Sequence, residues 1–433
     1  MEFLSIEYFK ISSKGSRGMN DNLLYKMAKD YGTPLYVYDG EKITEQFDSL
    51  KSVLPDKFEI FYSMKCNPLI GICQLFKSFG SCIEVASDGE LYTALSAGYE
   101  PENIIFSGPG KTAEELEYAI NETIYCIIIE SVEEAELIEK IAQKLRKKVD
   151  IAIRINPDFE VLGSGIRMSG IPTQFGIDQS ILFEGIPKIL SFENINLIGV
   201  HVYCGTQMLN AQRIFTTAER VIGVALSISR QYGFSLKFLD IGGGFGIPYF
   251  TGESYLDINV LKDGIKLIWN NYCEKLGDTR IAVESGRFLM AESGTYLIKA
   301  LYKKKCKGSQ FVVCDGGSSQ HASSAFLGRH IRNNFPMHVL GKYDLKEEVN
   351  IVGPLCTPTD IIGQKVNMPC IEEGDIIAIE KSGAYGLTQS PWSFLSHSPP
   401  AEVLSYSNQV FVLRERGHRG DFIRGQNEVH IKV

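Results

Sequence analysis

A chain of 433 residues, 44 % of them hydrophobic and 22 % charged, has the composition of an ordinary globular protein, which excludes a mainly disordered one. Its 52 acidic residues outnumber its 44 basic ones, and the net charge of −8 argues against a dedicated nucleic-acid-binding protein. No apolar run reaches the roughly 18–20 residues of a membrane span, and the first twenty residues lack an apolar signal-peptide core, so we predict a cytoplasmic protein without membrane contact.

The cysteines and histidines indicate neither a disulfide framework nor a metal site. The ten cysteines are scattered without a C-x-x-C pair, and the seven histidines show no H-E-x-x-H spacing. We therefore expect no bound metal ion, and we expect most of the cysteines to be small buried hydrophobic residues.

From Leu35 onwards, short apolar runs alternate with helical stretches at a spacing of about 30 residues, which is typical of βαβ units. Continuous apolar runs of this length are typical of buried parallel strands. The predicted strands are Leu35–Tyr38, Glu59–Ser63, Cys82–Val85, Ile104–Phe106, Cys126–Ile129, Ile151–Ile155, Leu197–Tyr203, Phe238–Ile241 and Ile281–Glu284. The predicted helices between them include Ala113–Asn121, Val132–Lys147, Ala211–Tyr232 and Leu261–Leu276.

Eight or nine such units indicate an α/β fold, a (β/α)8 TIM barrel over residues 35–288. A doubly wound sheet is the alternative, but it would need a glycine fingerprint after its first strand, and Leu35–Tyr38 is followed by none. Beyond residue 288 the helical rhythm is lost and strand candidates are separated by turns, which predicts a β domain over residues 289–433.

Charged residues and glycines follow several predicted barrel strands, and the C-terminal ends of the strands are where barrel enzymes carry their catalytic residues. Lys65 follows the strand Glu59–Ser63 and is either a solvated surface lysine or a nucleophile that forms a Schiff base. The run Gly242-Gly243-Gly244 is either a tight turn or an anion site, because glycines let backbone N–H groups approach a phosphate.

Two further strand ends carry residues that could have either a structural or a functional role. Glu284 and Arg287 end the last predicted barrel strand, either as a structural ion pair or with the carboxylate facing a pyridinium N–H. His201 is either a hydrogen-bonded structural residue or an imidazole that stacks on a flat ring. In the predicted β domain, the turns at residues 353–360 and 383–386 carry a cysteine, a carboxylate and a tyrosine in loops, where function concentrates, although ordinary turn chemistry also explains them.

Taken together and in this order, these segments resemble the ornithine/diaminopimelate decarboxylase family of barrel-type pyridoxal-phosphate enzymes, over about residues 35–400. The resemblance implies an alanine racemase/ornithine decarboxylase-like architecture, in which residues 1–34 complete the C-terminal β domain. It also implies a head-to-tail homodimer with active sites shared at the interface, and pyridoxal 5′-phosphate as cofactor.

The resemblance also implies roles for individual residues. Lys65 is similar to the lysine that binds the cofactor covalently, Glu284 to the carboxylate that keeps the pyridine nitrogen protonated, and His201 to the residue stacked on the ring. Cys356, contributed by the partner chain, is similar to the acid that reprotonates the α-carbon. The remaining matches are the phosphate cradle of Gly242, Gly243, Gly244, Gly286, Arg287 and Tyr385, the acidic strand end of Glu84 and Glu90, and the R-x-N strand of Arg154.

Two departures from the family pattern bear on the substrate. Diaminopimelate, ornithine and lysine enzymes place an acid after the cysteine to bind the distal ammonium, whereas this chain has Thr357. An arginine that clamps the distal carboxylate is absent after Asp315-Gly316-Gly317, although Arg329 and Arg332 lie further on. We list Thr357, Asp360, Arg329 and Arg332 as candidate substrate-binding residues.

The pattern is most similar to a branch of the family that decarboxylates glutamate attached to an acyl carrier protein in butirosin biosynthesis. We therefore expect a decarboxylase of an α-amino acid whose far end is neutral, free or carrier-bound. A decarboxylase of a free diamino acid with relocated recognition is one alternative, and a non-catalytic relative that binds partners is another.

Overall fold

The computed structural model describes residues 19–159, 166–167, 170–325 and 333–430. They form two compact units, one comprising Thr44–Leu289 and the other the described residues before Thr44 and from Met290 onwards. Among the described residues, no helix is long and apolar enough to cross a membrane.

The unit Thr44–Leu289 is a closed barrel of eight parallel strands, which confirms the predicted fold class. The first strand pairs with the eighth and the fourth with the fifth, so the ring has no free edge. In chain order the barrel strands are Phe58–Ser63, Cys82–Val85, Ile104–Phe106, Cys126–Ile129, Val149–Asn156, Ile195–His201, Phe238–Asp240 and Arg280–Ser285.

Helices follow the barrel strands, and several begin at a side chain that caps the backbone. Thr112 and Glu115 form a reciprocal capping box, and Ser87 and Ser131 each accept a hydrogen bond from the amide three residues later. The helices are Gly40–Lys51, which joins the two units along the chain, Ile70–Ser78, Asp88–Ser96, Ala113–Glu122, Val132–Leu145, Leu182–Leu190, Ala211–Tyr232, Ile258–Leu276 and Arg287–Met290.

The barrel encloses a packed interior to which alternate strand residues contribute, as expected when side chains point to opposite faces of a strand. This buried cluster comprises Phe61, Cys82, Ile105, Cys126, Ile128, Ala152, Ile198, Phe238 and Ala282. Two short ribbons lie outside the ring: Ile166–Arg167 pairs with Gly205–Thr206, and Ile177–Asp178 pairs with the fifth barrel strand. A filled interior leaves the loops at the strand ends to form a site.

The second unit is a mixed sheet of nine strands, as the sequence predicts for the C-terminal region. Its helices are Asp21–Tyr31 and Ala322–Ala325. Its strands are Leu35–Asp39, Gly294–Cys306, Ser309–Cys314, Met337–Val339, Glu347–Val352, Ile361–Met368, Ile376–Ile379, Ala401–Tyr406 and Gln409–Arg414.

The prediction that Leu35–Tyr38 is the first barrel strand is wrong. This strand pairs antiparallel with Gly294–Cys306 and parallel with Ala401–Tyr406, so it belongs to the mixed sheet. All residues of the run 35–38 are buried. A strand buried on both faces has the same continuous apolar sequence in a barrel and in a mixed sheet, so the sequence does not distinguish the two. The barrel accordingly starts later than residue 35, and the described residues before Thr44 group with the β domain.

His338 links the helix Asp21–Tyr31 to the mixed sheet through two ion pairs. Its Nε2 lies 3.0 Å from Asp21 Oδ1 and its Nδ1 lies 3.1 Å from Glu380 Oε1. The bond to Glu380 and then that to Asp21 raise the pKa of His338, against the opposing effect of burial. The protonated imidazolium therefore stabilises this junction.

We expect His338→Gln to destabilise the protein in a pH-dependent way. Because the pKa of His338 is raised on folding, its contribution is complete below about pH 6.5 and is lost as the pH rises through the folded-state value. The free energy of unfolding, measured by denaturation from pH 5.5 to pH 9, should differ from wild type by about 0.5–1 kcal/mol at the acid end, since His338 is partly exposed. The exposed His430→Gln is the control, and a deficit that grows with pH would contradict the assignment.

Candidate active site

Lys65 lies at the C-terminal end of the first barrel strand and pairs with Glu84 at the end of the second. The strand ends at Ser63, and one 3-10 turn, Met64–Cys66, turns the lysine out of the sheet. Lys65 Nζ lies 2.9 Å from both oxygens of Glu84, while 41 % of the lysine side chain is exposed and only 1 % of the glutamate. The amine is thus held at the barrel end by a buried carboxylate and remains accessible.

Glu84 stays ionised although it is buried. Burial raises its pKa, but the Lys65 charge and hydrogen bonds from Ser107 and Lys65 outweigh burial and bring the pKa below the ordinary value. The Tyr203 ring also lies near Lys65, with its centroid 6.0 Å from Nζ. Nearby Glu90 accepts a 2.8 Å hydrogen bond from the Ala86 amide, and burial raises its pKa to about 7.

His201, Asp240 and Glu284 form a buried cluster at the ends of the sixth, seventh and eighth strands. Strand register places His201 beside Asp240, and one polar atom of each of the three residues lies within 4.8 Å of the others. Asp240 Oδ1 accepts a 2.8 Å hydrogen bond from the Gly242 amide. Glu284 Oε1 and both ring nitrogens of His201 have no hydrogen-bond partner among the described residues, although His201 Nε2 lies 3.4 Å from that oxygen.

The electrostatics of this cluster disfavour negative charge unless a cation is bound. Burial, followed by repulsion from Glu84 and Asp240, raises the pKa of Glu284 well above its usual value. Burial also raises the pKa of Asp240 to about 7. Burial and the charges of Arg154, Lys65 and Lys111 lower the pKa of His201, so its imidazole is neutral.

Such a set of one imidazole and two carboxyl groups could ligate a metal ion, which the sequence did not predict. It could equally hold a positively charged N–H group, because Glu284 Oε1 is a buried acceptor without a donor among the described residues. Both are cations, so the cluster favours a positively charged ligand.

The glycine turn after the seventh strand is required by close backbone packing. A Cβ on Gly243 would overlap the carbonyl oxygen of Glu284, and one on Gly242 would lie 2.6 Å from the carbonyl oxygen of Val202. Gly242 and Gly244 have φ of +68° and +84°, which favours glycine. The turn thus lies directly against the strand end that carries Glu284.

Arg287 begins the short helix after Glu284 and donates from Nη1 to the Tyr249 hydroxyl at 3.2 Å. The Glu284–Arg287 ion pair, one of the two interpretations of this strand end, is not among the contacts of the described residues: Arg287 contacts Tyr249, and Glu284 lies beside His201. Gly286 lies against Cys66, so its lack of a side chain brings the eighth strand close to the Lys65 turn.

Arg154, on the fifth strand, is paired with Glu130 at the end of the fourth. Arg154 Nη1 lies 2.8 Å from Glu130 Oε1, and Glu130 Oε2 accepts a 2.9 Å hydrogen bond from the Gly176 amide. The guanidinium also lies 4.7 Å from the ring centroid of Phe175. Sequence reasoning missed Glu130, although the strand-end rule that selected Lys65 applies to it, since it follows Cys126–Ile129 directly.

The predicted residues of the β domain lie in two loops of the second unit. Cys356 is exposed and Thr357 half-buried, with the Thr357 hydroxyl 2.9 Å from that of Thr359. Asp360 is buried and accepts hydrogen bonds from the amides of Ser318 and Leu355, so its carboxylate links its own loop to the segment that begins at Ser318. Its substrate contact stays a prediction.

Two predicted substrate residues, Arg329 and Arg332, lie outside the described residues. Tyr385 has a φ of +55°, and its carbonyl oxygen accepts a 2.8 Å hydrogen bond from Ser323.

A barrel that gathers a lysine, an imidazole and buried carboxyl groups at the C-terminal ends of its strands is an enzyme of the (β/α)8 class. Residues 40–291 match the family model described as pyridoxal-dependent decarboxylase, pyridoxal binding domain. The chain belongs to this family, as the sequence motifs predict, and it is a pyridoxal-dependent amino-acid decarboxylase.

Known relatives are similar to this chain over nearly its full length. The decarboxylase of L-glutamyl acyl-carrier protein from Niallia circulans is 40 % identical over 92 % of this chain and 95 % of its own length. The diaminopimelate decarboxylase of Aquifex aeolicus is 31 % identical over 91 % of each chain. The crystal structure of the M. jannaschii diaminopimelate decarboxylase superimposes with a TM-score of 0.86 at 27 % identity, over 93 % of this chain and 94 % of that one.

We expect Glu284→Gln to stabilise the cofactor-free protein. Because folding raises the pKa of Glu284, the wild type loses stability as the pH rises above about 4.3, and glutamine removes this cost. Chemical denaturation at pH 7–8 should show a gain of about 1–3 kcal/mol that shrinks towards pH 4.

The exposed Glu274→Gln is the matched control for this measurement. If Glu284→Gln destabilises the cofactor-free protein at pH 7–8 while Glu274→Gln does not, then Glu284 is not an uncompensated buried acid.

Proposed function

We propose that this chain binds pyridoxal 5′-phosphate at the C-terminal end of its barrel and decarboxylates an α-amino acid whose far end is neutral. The observation that carries the proposal is that the barrel end holds both an amine and an unpartnered buried carboxyl oxygen. Lys65 offers an amine on a partly exposed side chain beside Glu84, and Glu284 Oε1 is a buried acceptor that lacks a donor among the described residues. Pyridoxal carries a carbonyl group that can react with the Lys65 amine and a protonated ring nitrogen that could donate a hydrogen bond to Glu284.

The residues of the site fit this cofactor in chemistry. Glu284 would accept the ring N–H and so keep the nitrogen protonated, because a buried carboxylate without a cation is unfavourable. His201 is neutral and flat, which suits stacking against an aromatic ring. Gly242–Gly244, Gly286, Arg287 and Tyr385 would bind the phosphate, while Glu84 and Arg154 would shape the remainder of the pocket.

Bound pyridoxal phosphate supplies an electron sink for the pair left on the α-carbon when CO2 departs. Lys65 would hold the cofactor covalently until the substrate amine takes its place, and it would later help to release the product. Glu84 keeps Lys65 in position before the substrate arrives. Cys356, from the partner chain of a homodimer, would deliver the proton to the α-carbon, which is consistent with its exposure on the 353–360 loop.

The far end of the substrate is proposed to be neutral because Thr357 stands where an acid would bind a distal ammonium. A buried ammonium without its carboxylate costs several kcal/mol in lost solvation. The 40 % identical relative from Niallia circulans is named for an L-glutamyl acyl-carrier protein, a substrate with an α-amino acid head and no distal charge. We therefore propose glutamate, linked through its side chain to an acyl carrier protein, as the substrate class.

A free diamino acid is the alternative substrate, and the similarity to diaminopimelate decarboxylases favours it. Arg329 and Arg332 would then be candidates for relocated recognition of a distal carboxylate. In the carrier-bound case they are instead candidates to contact an acidic carrier.

We expect wild-type protein to prefer carrier-bound glutamate over lysine, ornithine and diaminopimelate by about a hundredfold or more in kcat/KM. Thr357→Glu or Thr357→Asp should raise activity on free diamino acids relative to carrier-bound glutamate. The measurement is CO2 release from each substrate at several concentrations. Gln409→Glu, at an exposed position on a strand of the β domain, is the control for added charge. Wild-type kcat/KM of about 10⁴ M⁻¹s⁻¹ or more on a free diamino acid would show that distal charge is tolerated.

We expect Lys65→Ala and Cys356→Ala to be inactive alone and to complement each other when mixed. Because each proposed site takes Lys65 from one chain and Cys356 from its partner, a mixed dimer keeps one intact site. Random exchange of subunits should restore up to roughly one quarter of wild-type activity. Two Lys65→Ala preparations with distinct tags are the control for exchange, and demonstrated exchange without recovered activity would exclude shared sites.

A further inference from the structure

Residues 318–324 form a buried polar segment that contacts two loops of the β domain. Ser318, Gln320, His321 and Ser324 are each no more than 2 % exposed. We propose that this segment positions both the Cys356 loop and the Tyr385 turn, with Asp360 and Ser323 as positioning residues. Its importance for catalysis rests on the proposed function, which gives Cys356 and Tyr385 their roles.

Asp360 connects the Cys356 loop to the segment. Asp360 Oδ1 accepts a 2.6 Å hydrogen bond from the Ser318 amide, and Oδ2 accepts one of 2.8 Å from the Leu355 amide, directly before Cys356. A Cβ on Gly317 or Gly353 would press on this carboxylate, so the backbone encloses it on two sides. The carboxylate therefore fixes the backbone that carries Cys356 and Thr357.

Ser323 connects the Tyr385 turn to the same segment. Its Oγ donates to the Tyr385 carbonyl oxygen at 2.8 Å, and Tyr385 adopts a left-handed backbone that is uncommon for a residue with a side chain. A second link runs from the Ala322 amide to Ser390 Oγ at 2.9 Å, and that hydroxyl donates to the Gly386 carbonyl oxygen at 2.7 Å. The carbonyl oxygens of Tyr385 and Gly386 are thus both fixed by hydrogen bonds.

The segment is itself anchored on the mixed sheet through Gln320. The Tyr36 hydroxyl donates to the Gln320 carbonyl oxygen at 2.7 Å, and the Tyr296 hydroxyl donates to its Oε1 at 2.8 Å. Gln320 Nε2 donates to the Ser398 carbonyl oxygen at 3.0 Å. Because this anchor is buried and bonded at its carbonyl oxygen, Oε1 and Nε2, we take the segment as fixed. Displacement of the Cys356 loop then requires breaking the contacts of Asp360, and displacement of the Tyr385 turn requires breaking those of Ser323 and Ser390.

The first test compares Ser323→Ala with Ser324→Ala in the intact protein. Ser324 lies in the same helical turn, but its hydroxyl bonds only within that turn, to the His321 carbonyl oxygen at 3.0 Å. We expect Ser323→Ala to weaken pyridoxal phosphate binding about three- to tenfold, the loss of one hydrogen bond. It should also speed amide hydrogen exchange across residues 385–390, Ser323→Thr should restore both properties, and Ser324→Ala should change neither.

The second test uses Asp360→Asn, whose amide cannot accept from both backbone N–H groups. We expect hydrogen exchange at residues 355–357 to accelerate about tenfold and kcat to fall, with pyridoxal phosphate affinity unchanged. Equal exchange in Ser323→Ala, Ser324→Ala and wild type at residues 385–390 overturns the proposal, even if Asp360→Asn does not fold. Hydrogen exchange does not depend on the substrate, so failure of the proposed function would appear separately, as an absence of turnover in the wild type.

Discussion

The burial of several carboxyl groups at one end of the barrel is the constraint on which the site depends. Glu84, Glu130, Asp240 and Glu284 all lie buried at strand ends, where each ionised group would be costly without a partner. Glu84 is balanced by Lys65 and Glu130 by Arg154, whereas Asp240 and Glu284 have no charged basic side chain paired with them among the described residues. Burial therefore favours the neutral form of Glu284, and a ligand that supplies a positive N–H group would stabilise its carboxylate.

Close approach of backbones makes this arrangement possible. Gly243 lies against the Glu284 carbonyl oxygen, and Gly286 lies against the Cys66 side chain and the Ser63 carbonyl oxygen, so the chain segments after the seventh, eighth and first strands converge closely. The glycines that suggest a phosphate site from the sequence, Gly242–Gly244 and Gly286, are therefore also required by backbone packing. The two explanations are compatible, because exposed amides and tight packing both require the absence of a Cβ.

Much of the fold and of the candidate site could be predicted from the sequence, for a physical reason. The eight barrel strands are local apolar runs that alternate with helices, so their positions can be recognised from neighbouring residues. Lys65, Glu84, His201 and Glu284 follow such strands, and parallel strands bring their C-terminal ends to one side of a barrel. The strand Leu35–Asp39 was misassigned because its partners, Gly294–Cys306 and Ala401–Tyr406, lie more than 250 residues away.

By itself, the sequence determined the barrel, the β domain, the family and the groups at the strand ends, since these follow from local pattern and motif order. Only the tertiary structure decided which charges are paired. It joined Arg154 to Glu130, turned Arg287 towards Tyr249, and connected Asp360 to the Ser318 amide. Spacing along a chain specifies which strand end carries a charge, but the partner of that charge depends on the three-dimensional direction in which each side chain leaves its strand.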